Sequence, residues 1–428
     1  MSVLEADLTW TGKRFEPGVR VEIGVDGRIA AVGALAARPT QRLSGRALLP
    51  GFVNAHSHAF QRGLRGQGER FPQGAGSFWT WREAMYALVD ALDASRLRAL
   101  ARQAFREMLA AGITTVGEFH YLHHESGGTG WELDEVVLEA ARETGIRLVL
   151  LEVFYRSGGI GKPLQGAQRR FDTRSIGEYW KQLDALARRL DGTRESLGVA
   201  PHSIRALSLD DLAAVHAEAR ARGLVVHMHV EETRQELADC RAAFGKTPLL
   251  LLLERLELER GFTAVHGTHS EPAELAQFLE RGANLCLAPL TEANLGDGIP
   301  RLPAGSAGLA LGTDSNARIS MLEELRWCEY GQRLAREQRG VLVDAAGEVA
   351  RNLLAAATAG GARSLGIEAG AIERGRLADF VELDLGSEEL AGWTPETLLE
   401  SLIFGAGNRS LAATWVGGRR VFERERDS

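Results

Sequence analysis

From residue 52 onward, short apolar runs alternate with longer stretches in which apolar and polar positions recur with helical spacing. The runs read as strands over 52–56, Thr114–His120, Arg147–Phe154, Leu197–Ala200, Leu224–His229, Phe262–His266, Asn284–Ala288 and Leu309–Gly312. Between them, Ala94–Ala111, Leu133–Thr144, Ile176–Leu190, Leu209–Arg222 and Pro272–Arg281 carry the period of amphipathic helices. Apolar strands separated by helices predict a parallel sheet covered on both faces. Eight such units are the number that closes a (β/α)8 barrel of the TIM type.

The two ends of the chain have a different pattern. Val19–Ile23 alternates apolar and charged positions, Ile29–Val32 is an apolar run, and Val25-Asp26-Gly27 between them is a hairpin signal. Leu48-Leu49-Pro50-Gly51 is read as a break ahead of the first barrel strand. Two further helices, 321–338 and 344–364, follow the eighth strand. After them Val381–Leu385 and Thr414–Val416 are again short strands, with a turn at Gly417-Gly418. Residues 1–48 and 366–428 are therefore expected to form one small β-sandwich domain from both ends, with 49–365 as the barrel. There is no internal repeat or low-complexity segment.

Three long loops follow strand C-termini, the catalytic face of such a barrel. These are 60–82, with Gly63, Gly66, Gly68, Gly74, Gly76 and Pro72, then 156–175 and 289–308. Long loops at that face are lid candidates. Gly296 and Gly298 around Asp297 give Glu292–Gly298 a flexible composition, suited to closing over a substrate or to an ordinary surface turn.

Composition changes this picture little, and mostly by exclusion. The 428 residues are 45% hydrophobic and 25% charged, the balance of a globular protein. A net charge of -7 gives no reason to expect nucleic acid as a partner, and means that a site for an anion must supply its own cations. The start, MSVLEADLTW, lacks the basic and apolar regions of a signal peptide, and the run Pro248–Leu253 is too short to cross a membrane. Cys240, Cys286 and Cys328 are too few and too scattered for a disulfide framework or a CxxC metal site. A cytoplasmic location is expected.

The informative chemistry lies in where the eleven histidines fall. His56 and His58 are an i, i+2 pair at the end of the first strand, so both imidazoles face one side. His229 ends the fifth strand, His266 the sixth, and Asp314 follows the eighth. His227 shares a face with His229 but lies a layer deeper, as a buried, hydrogen-bonded neighbour. His269 lies on the loop beyond His266. His56, His58, His229, His266 and Asp314 are thus expected to converge on one mouth, imidazoles and a carboxylate suited to zinc or another first-row metal.

This order, with the opening motif LLPGFVNAHSH and the late Gly-Arg-Leu-Ala-Asp-Phe of 375–380, resembles the amidohydrolase superfamily over essentially the whole chain. Within it the chain is similar to the deiminases of N-formimino-L-glutamate, which act in histidine degradation. That similarity rests on the segments AHSHAFQRG (55–63), FWTWR (78–82), EFHYLH (118–123), PHSIR (201–205), HVEE (229–232) and LTEANLGDG (290–298). One departure is Glu231, where a small residue is expected.

The resemblance implies hydrolysis of the formimino group to N-formyl-L-glutamate and ammonia, with a single Zn2+ bound by His56, His58, His229 and Asp314. A bridging lysine at the end of the fourth strand, which a two-metal relative would carry, is absent. In the implied mechanism Asp314 takes a proton from the water that the metal activates, and His266 hydrogen-bonds the nucleophile. Glu232 passes a proton to the departing nitrogen. Arg82 and Arg205 are expected to meet the two substrate carboxylates, with Gln61, Tyr121 and His202 adding hydrogen bonds. Arg82 follows the aromatic pair Trp79 and Trp81. A homodimer is implied as well. Two other readings are open: a deaminase of nucleobases or related amidines on the same barrel, and a non-catalytic barrel with an interaction role.

Overall fold

The computed structural model describes residues 2–425, with 68, 70, 72–75, 77 and 304–307 outside the description, as is the side chain of Trp79. Gly68, Pro72 and Gly74 of the first long loop therefore lie outside the described residues.

Among the described residues the chain forms two sheets. The first strands are β1 (Ser2–Trp10), β2 (Phe15–Glu16), β3 (Arg20–Ile23), β4 (Ile29–Gly33) and β5 (Gln41–Pro50). The barrel strands are β6 (Phe52–Ser57), β7 (Ile113–His120), β8 (Arg147–Phe154), β9 (Glu195–Pro201), β10 (Val226–Val230), β11 (Phe262–His266), β12 (Asn284–Leu287) and β13 (Leu309–Leu311). The last three are β14 (Phe380–Asp384), β15 (Leu411–Val416) and β16 (Arg419–Glu423).

β6 to β13 follow one another in spatial order, and a parallel bridge between Ser57 and Asp314 joins the two outer strands. Thr313 N–H and Asp314 N–H donate to the His56 carbonyl, each at 3.0 Å. The other sheet has the order β16-β15-β14-β5-β1-β3-β4, with β2 beside β1, so strands from both ends of the chain share it. Every residue of β7 and β8 is buried, as expected for strands covered on both faces.

The expected strand Arg147–Phe154 and the expected strand Phe262–His266 have the observed limits, and the other barrel strands differ by a residue or two. The larger differences have identifiable causes. Leu48-Leu49-Pro50 is no break: it continues β5, where Pro50 pairs with Phe380. Proline at the last position of a strand gives up little, since no further pairing is required of its missing N–H. The expected helix 344–364 begins at Val349 and contains a π-turn over Ala356–Gly360. There a Cβ on Gly360 would stand 2.1 Å from the Leu309 carbonyl, so glycine lets this helix rest directly on β13.

Two of the lid loops are shorter than expected. Ala59–Leu64 is a 3-10 turn and Phe78–Ala91 a helix, so both ends of the first expected loop have regular structure. Likewise Pro289–Leu295 is a helix with Gly296 at φ 72 as its left-handed C-cap. Proline at the first turn and glycine just past the end are a helix signature, so Glu292–Leu295 is held in a helical turn and only Gly296–Gly298 of that segment lies beyond it.

Candidate active site

Strand pairing places the metal-ligating candidates. The hydrogen bonds between β6 and the segment after β13 set Asp314 beside both histidines of the first strand. Asp314 Oδ1 lies 3.4 Å from His56 Nε2 and 3.1 Å from His58 Nε2. One donor atom from each of His56, His58, His229 and Asp314 lies within 4.8 Å of every other. All four residues are buried. Asp314 (φ 40) and His266 (φ 75) adopt the left-handed backbone region, a strain of the kind that gathers at functional sites.

The donor set fits a divalent ion. His58 Nδ1–H donates to the Phe119 carbonyl at 2.9 Å and His229 Nδ1–H to the His202 carbonyl at 3.3 Å. Each bond fixes the tautomer whose Nε2 lone pair is free for a metal. Neither ring nitrogen of His56 has a hydrogen-bond partner, although both are buried. Burial lowers the His56 imidazole to about 3 and holds His229 well below its ordinary value, so these rings are neutral at neutral pH. Burial alone would raise the Asp314 carboxyl, but the neighbouring His56, His58 and His266 rings hold it well below the usual range. Neutral imidazoles with one carboxylate suit zinc or a similar ion.

Next to this cluster His266 sits among acids. Its Nε2 is 3.7 Å from Glu232 Oε1 and 3.7 Å from Asp314 Oδ2, and its Nδ1 is 3.3 Å from Glu292 Oε1. Burial pulls its basicity down, yet Glu232, Glu292 and Asp314 together push it up to about 10. The ring is thus a cation aimed at the space above Asp314. Glu292 owes its place to the first turn of Pro289–Leu295, and sequence reasoning had not singled it out; the proline before it was the usable signal.

Above the cluster opens a cavity of about 150 Å³, lined among others by Gln61, Arg82, Tyr121, His202, Arg205 and Glu232. Gln61 Nε2 donates to Tyr121 Oη at 2.7 Å, while its Oε1 has no partner. Arg82 Nε donates to Tyr86 Oη at 2.6 Å. Arg205 Nη2 approaches Glu232 Oε2 at 3.4 Å, and Arg205 Nε is buried without a partner. His202 Nδ1 lies 3.0 Å from Ser203 Oγ. Burial, then Arg205, lowers the basicity of this ring well below normal. The structure thus brings every site residue expected from sequence to one end of the barrel.

Lys162 also lines the cavity and was missed. It is the one lysine in the 156–175 segment, held by a turn in which Lys162 N–H donates to the Gly159 carbonyl at 2.9 Å. The two histidines set aside from sequence lie elsewhere. His227 Nε2–H donates to the Ser364 carbonyl at 2.9 Å, and burial lowers this ring to about 4. His269 is on the loop after β11, its N–H donating to the Glu231 carbonyl at 3.1 Å. The unexpected Glu231 has a local use: its Oε1 accepts from Leu249 N–H at 2.9 Å, at the start of the helix Pro248–Arg255.

Comparison with known proteins agrees with this geometry. The model of the amidohydrolase family matches residues 47–421. The chain is 40% identical to a formimidoylglutamate deiminase of Pseudomonas aeruginosa, over 98% of this chain and 94% of the other. Among solved structures it is similar to an amidohydrolase from Brucella melitensis, with a TM-score of 0.89, 34% identity, and 98% and 94% of the two chains covered. It also resembles an adenosine deaminase from Xanthomonas campestris with bound zinc, with a TM-score of 0.79 and 26% identity over 98% and 92% of the chains. With the barrel, the histidine and aspartate cluster and a family match over most of its length, this chain belongs to the amidohydrolase family.

Proposed function

We propose that this chain hydrolyses N-formimino-L-glutamate to N-formyl-L-glutamate and ammonia, as the name of its Pseudomonas aeruginosa relative suggests. The observation that carries the reading is the cavity itself: Arg82, Arg205 and Lys162 surround a space that ends on Glu232 and on His58, His229 and Asp314, with His266 buried behind Glu232. A dicarboxylate bearing a linear amidine needs cations at one end and proton-transfer groups at the other. Guanidinium groups match carboxylates with two parallel hydrogen bonds.

Zinc held by His56, His58, His229 and Asp314 would supply a Lewis acid that lets water ionise near neutral pH. Asp314 accepts the proton of the attacking water, and the His266 cation hydrogen-bonds the attacking oxygen. Attack forms the new C–O bond at the formimino carbon. The terminal nitrogen takes up two protons through Glu232, the one first held by Asp314 and the one that the new hydroxyl loses as it becomes the formyl carbonyl; the C–N bond breaks and ammonia leaves. Arg82 and Arg205 hold the substrate carboxylates, while Gln61, Tyr121 and His202 orient the chain between them. The zinc in the Xanthomonas campestris neighbour supports the choice of metal.

The test is ammonia release by the zinc-loaded protein from N-formimino-L-glutamate, with adenosine and guanine run in parallel. Release from formiminoglutamate alone is expected. Release from adenosine or guanine with silence on formiminoglutamate would reject this substrate in favour of a nucleobase-type amidine.

The reading includes a cytoplasmic homodimer. Free Cys240, Cys286 and Cys328 support a reducing compartment. Among the described residues no helix is long and apolar enough to cross a membrane. Exposed Ile299, Trp327 and Leu334 line one apolar hollow, a composition that suits a subunit contact. Light scattering should give twice the 46.4 kDa chain mass for the wild type and the chain mass for Trp327→Arg. A monomeric wild type would refute the dimer.

A further inference from the structure

A second cluster of histidines and acids lies behind the first. Phe119 packs against His56 and His229, so strand alternation turns the next residue, His120, away from the barrel axis. In the register of β7 and β8, His120 is the direct partner of Glu152. His123 follows on the loop, and Asp134 comes from the first turn of the helix Glu132–Thr144. The four side chains are at most 1% exposed. Asp134 Oδ1 is 3.2 Å from His120 Nε2 and 2.9 Å from His123 Nδ1, and Glu152 Oε1 is 3.4 Å from that same nitrogen.

The donors here are arranged like those of the active-site cluster, where imidazole nitrogens also converge on one carboxylate oxygen. His123 Nε2–H donates to the Val153 carbonyl at 3.0 Å, which in the neutral ring leaves the Nδ1 lone pair facing two carboxylates. Asp134 Oδ2 is steadied by Gln182 Nε2 at 2.9 Å. His120 Nε2 and both oxygens of Glu152 have no hydrogen-bond partner. Among the described residues no lysine or arginine pairs with either acid; their ion-pair partners are the two histidines. Two buried carboxylates left with neutral imidazoles would be very costly, and a divalent cation between His120, His123 and Asp134 cancels their charge. Carbonyl support of a ligating histidine is the usual outer layer of such a site.

We propose that His120, His123 and Asp134, whose donor atoms all lie within 4.8 Å of one another, form a second, structural site for a divalent first-row ion, with Glu152 beside it and zinc as its probe. It ties β7 and β8 to the helix Glu132–Thr144 and stands apart from the reaction centre. Its alternative is protonation, with His123 as a cation and Glu152 neutral.

Full-length protein loaded with zinc and dialysed against metal-free buffer should retain two equivalents by elemental analysis. His58→Asn should lose the active-site equivalent and Asp134→Asn the other. A crystal measured at the zinc absorption edge should show two anomalous peaks, one touching His120 and His123. One equivalent in the wild type, or a single peak at His56 and His58, would overturn the proposal in favour of protons. If Asp134→Asn does not fold, the wild-type count and the anomalous map still decide it.

Discussion

Arg205 stands between two acids that leave the same strand end. Glu232 approaches its Nη2, while Glu236 faces it with neither carboxylate oxygen hydrogen-bonded. Burial pushes the Glu236 carboxyl up to about 7, although Arg205 draws it part of the way back. The unfolded chain loses this proton near 4.5 and the folded protein near 7. The stabilising effect of the protonated form is thus complete below pH 4.5 and is lost as pH rises through 7. Glu236→Gln should abolish this loss, so urea titrations should show the variant gaining roughly 3 kcal/mol on the wild type between pH 4.5 and 7.5. A constant difference would mean that Arg205 keeps Glu236 ionised throughout. Removing the guanidinium has a different signature: Arg205→Met and Arg82→Met should each lower kcat/KM for formiminoglutamate by roughly 30- to 1000-fold, at about 2–4 kcal/mol per charged pair. Zinc content should not change, and wild-type kcat/KM in both variants would disprove the carboxylate assignment. The gathering of the metal-ligating candidates and of these two arginines at one barrel end was legible in sequence because each follows a recognisable strand or aromatic motif. Lys162, Glu236 and Glu292 were not, because their roles depend on which turn or helix face points inward.

Among the elements, the strands were the most legible, since a barrel strand covered on both faces leaves an uninterrupted apolar run. Helices near glycines were the least legible. Gly63, Gly66 and Gly76 concealed the helix Phe78–Ala91 that follows them, and Gly296 made a capped helix look like a loose loop. That cap matters for the site, because Pro289–Leu295 presents Glu292 to His266. Gly296 has a φ of 72, where an L side chain costs roughly 1–2 kcal/mol. Gly296→Ala should therefore lower unfolding stability by about that amount and lower kcat with it. An unchanged denaturation midpoint would show that this turn accepts another conformation.

Across the whole molecule, a buried pair that the sequence motif at 375–380 contained without revealing ties β8 to the residue before β14. Arg147 of β8 donates from Nε to Asp379 Oδ2 at 2.9 Å and from Nη2 to Oδ1 at 3.1 Å. Asp379 Oδ1 also accepts from Gly417 N–H at 2.7 Å. Only the folded molecule brings these distant positions together. Asp379→Ala strands a buried guanidinium and should cost about 3–5 kcal/mol in chemical denaturation; a cost below about 1 kcal/mol would mean that water replaces the carboxylate. The same sheet has a consequence for synthesis. β5 ends at Pro50 and its neighbour β14 begins at Phe380, so about 330 residues separate the two halves of one ladder. At 5–20 residues per second, that edge of β5 waits on the order of 15–70 seconds for its partner to emerge from the ribosome. During that interval the nascent chain presents an open, largely apolar strand edge, and the whole barrel must be synthesised before the chain can cover it.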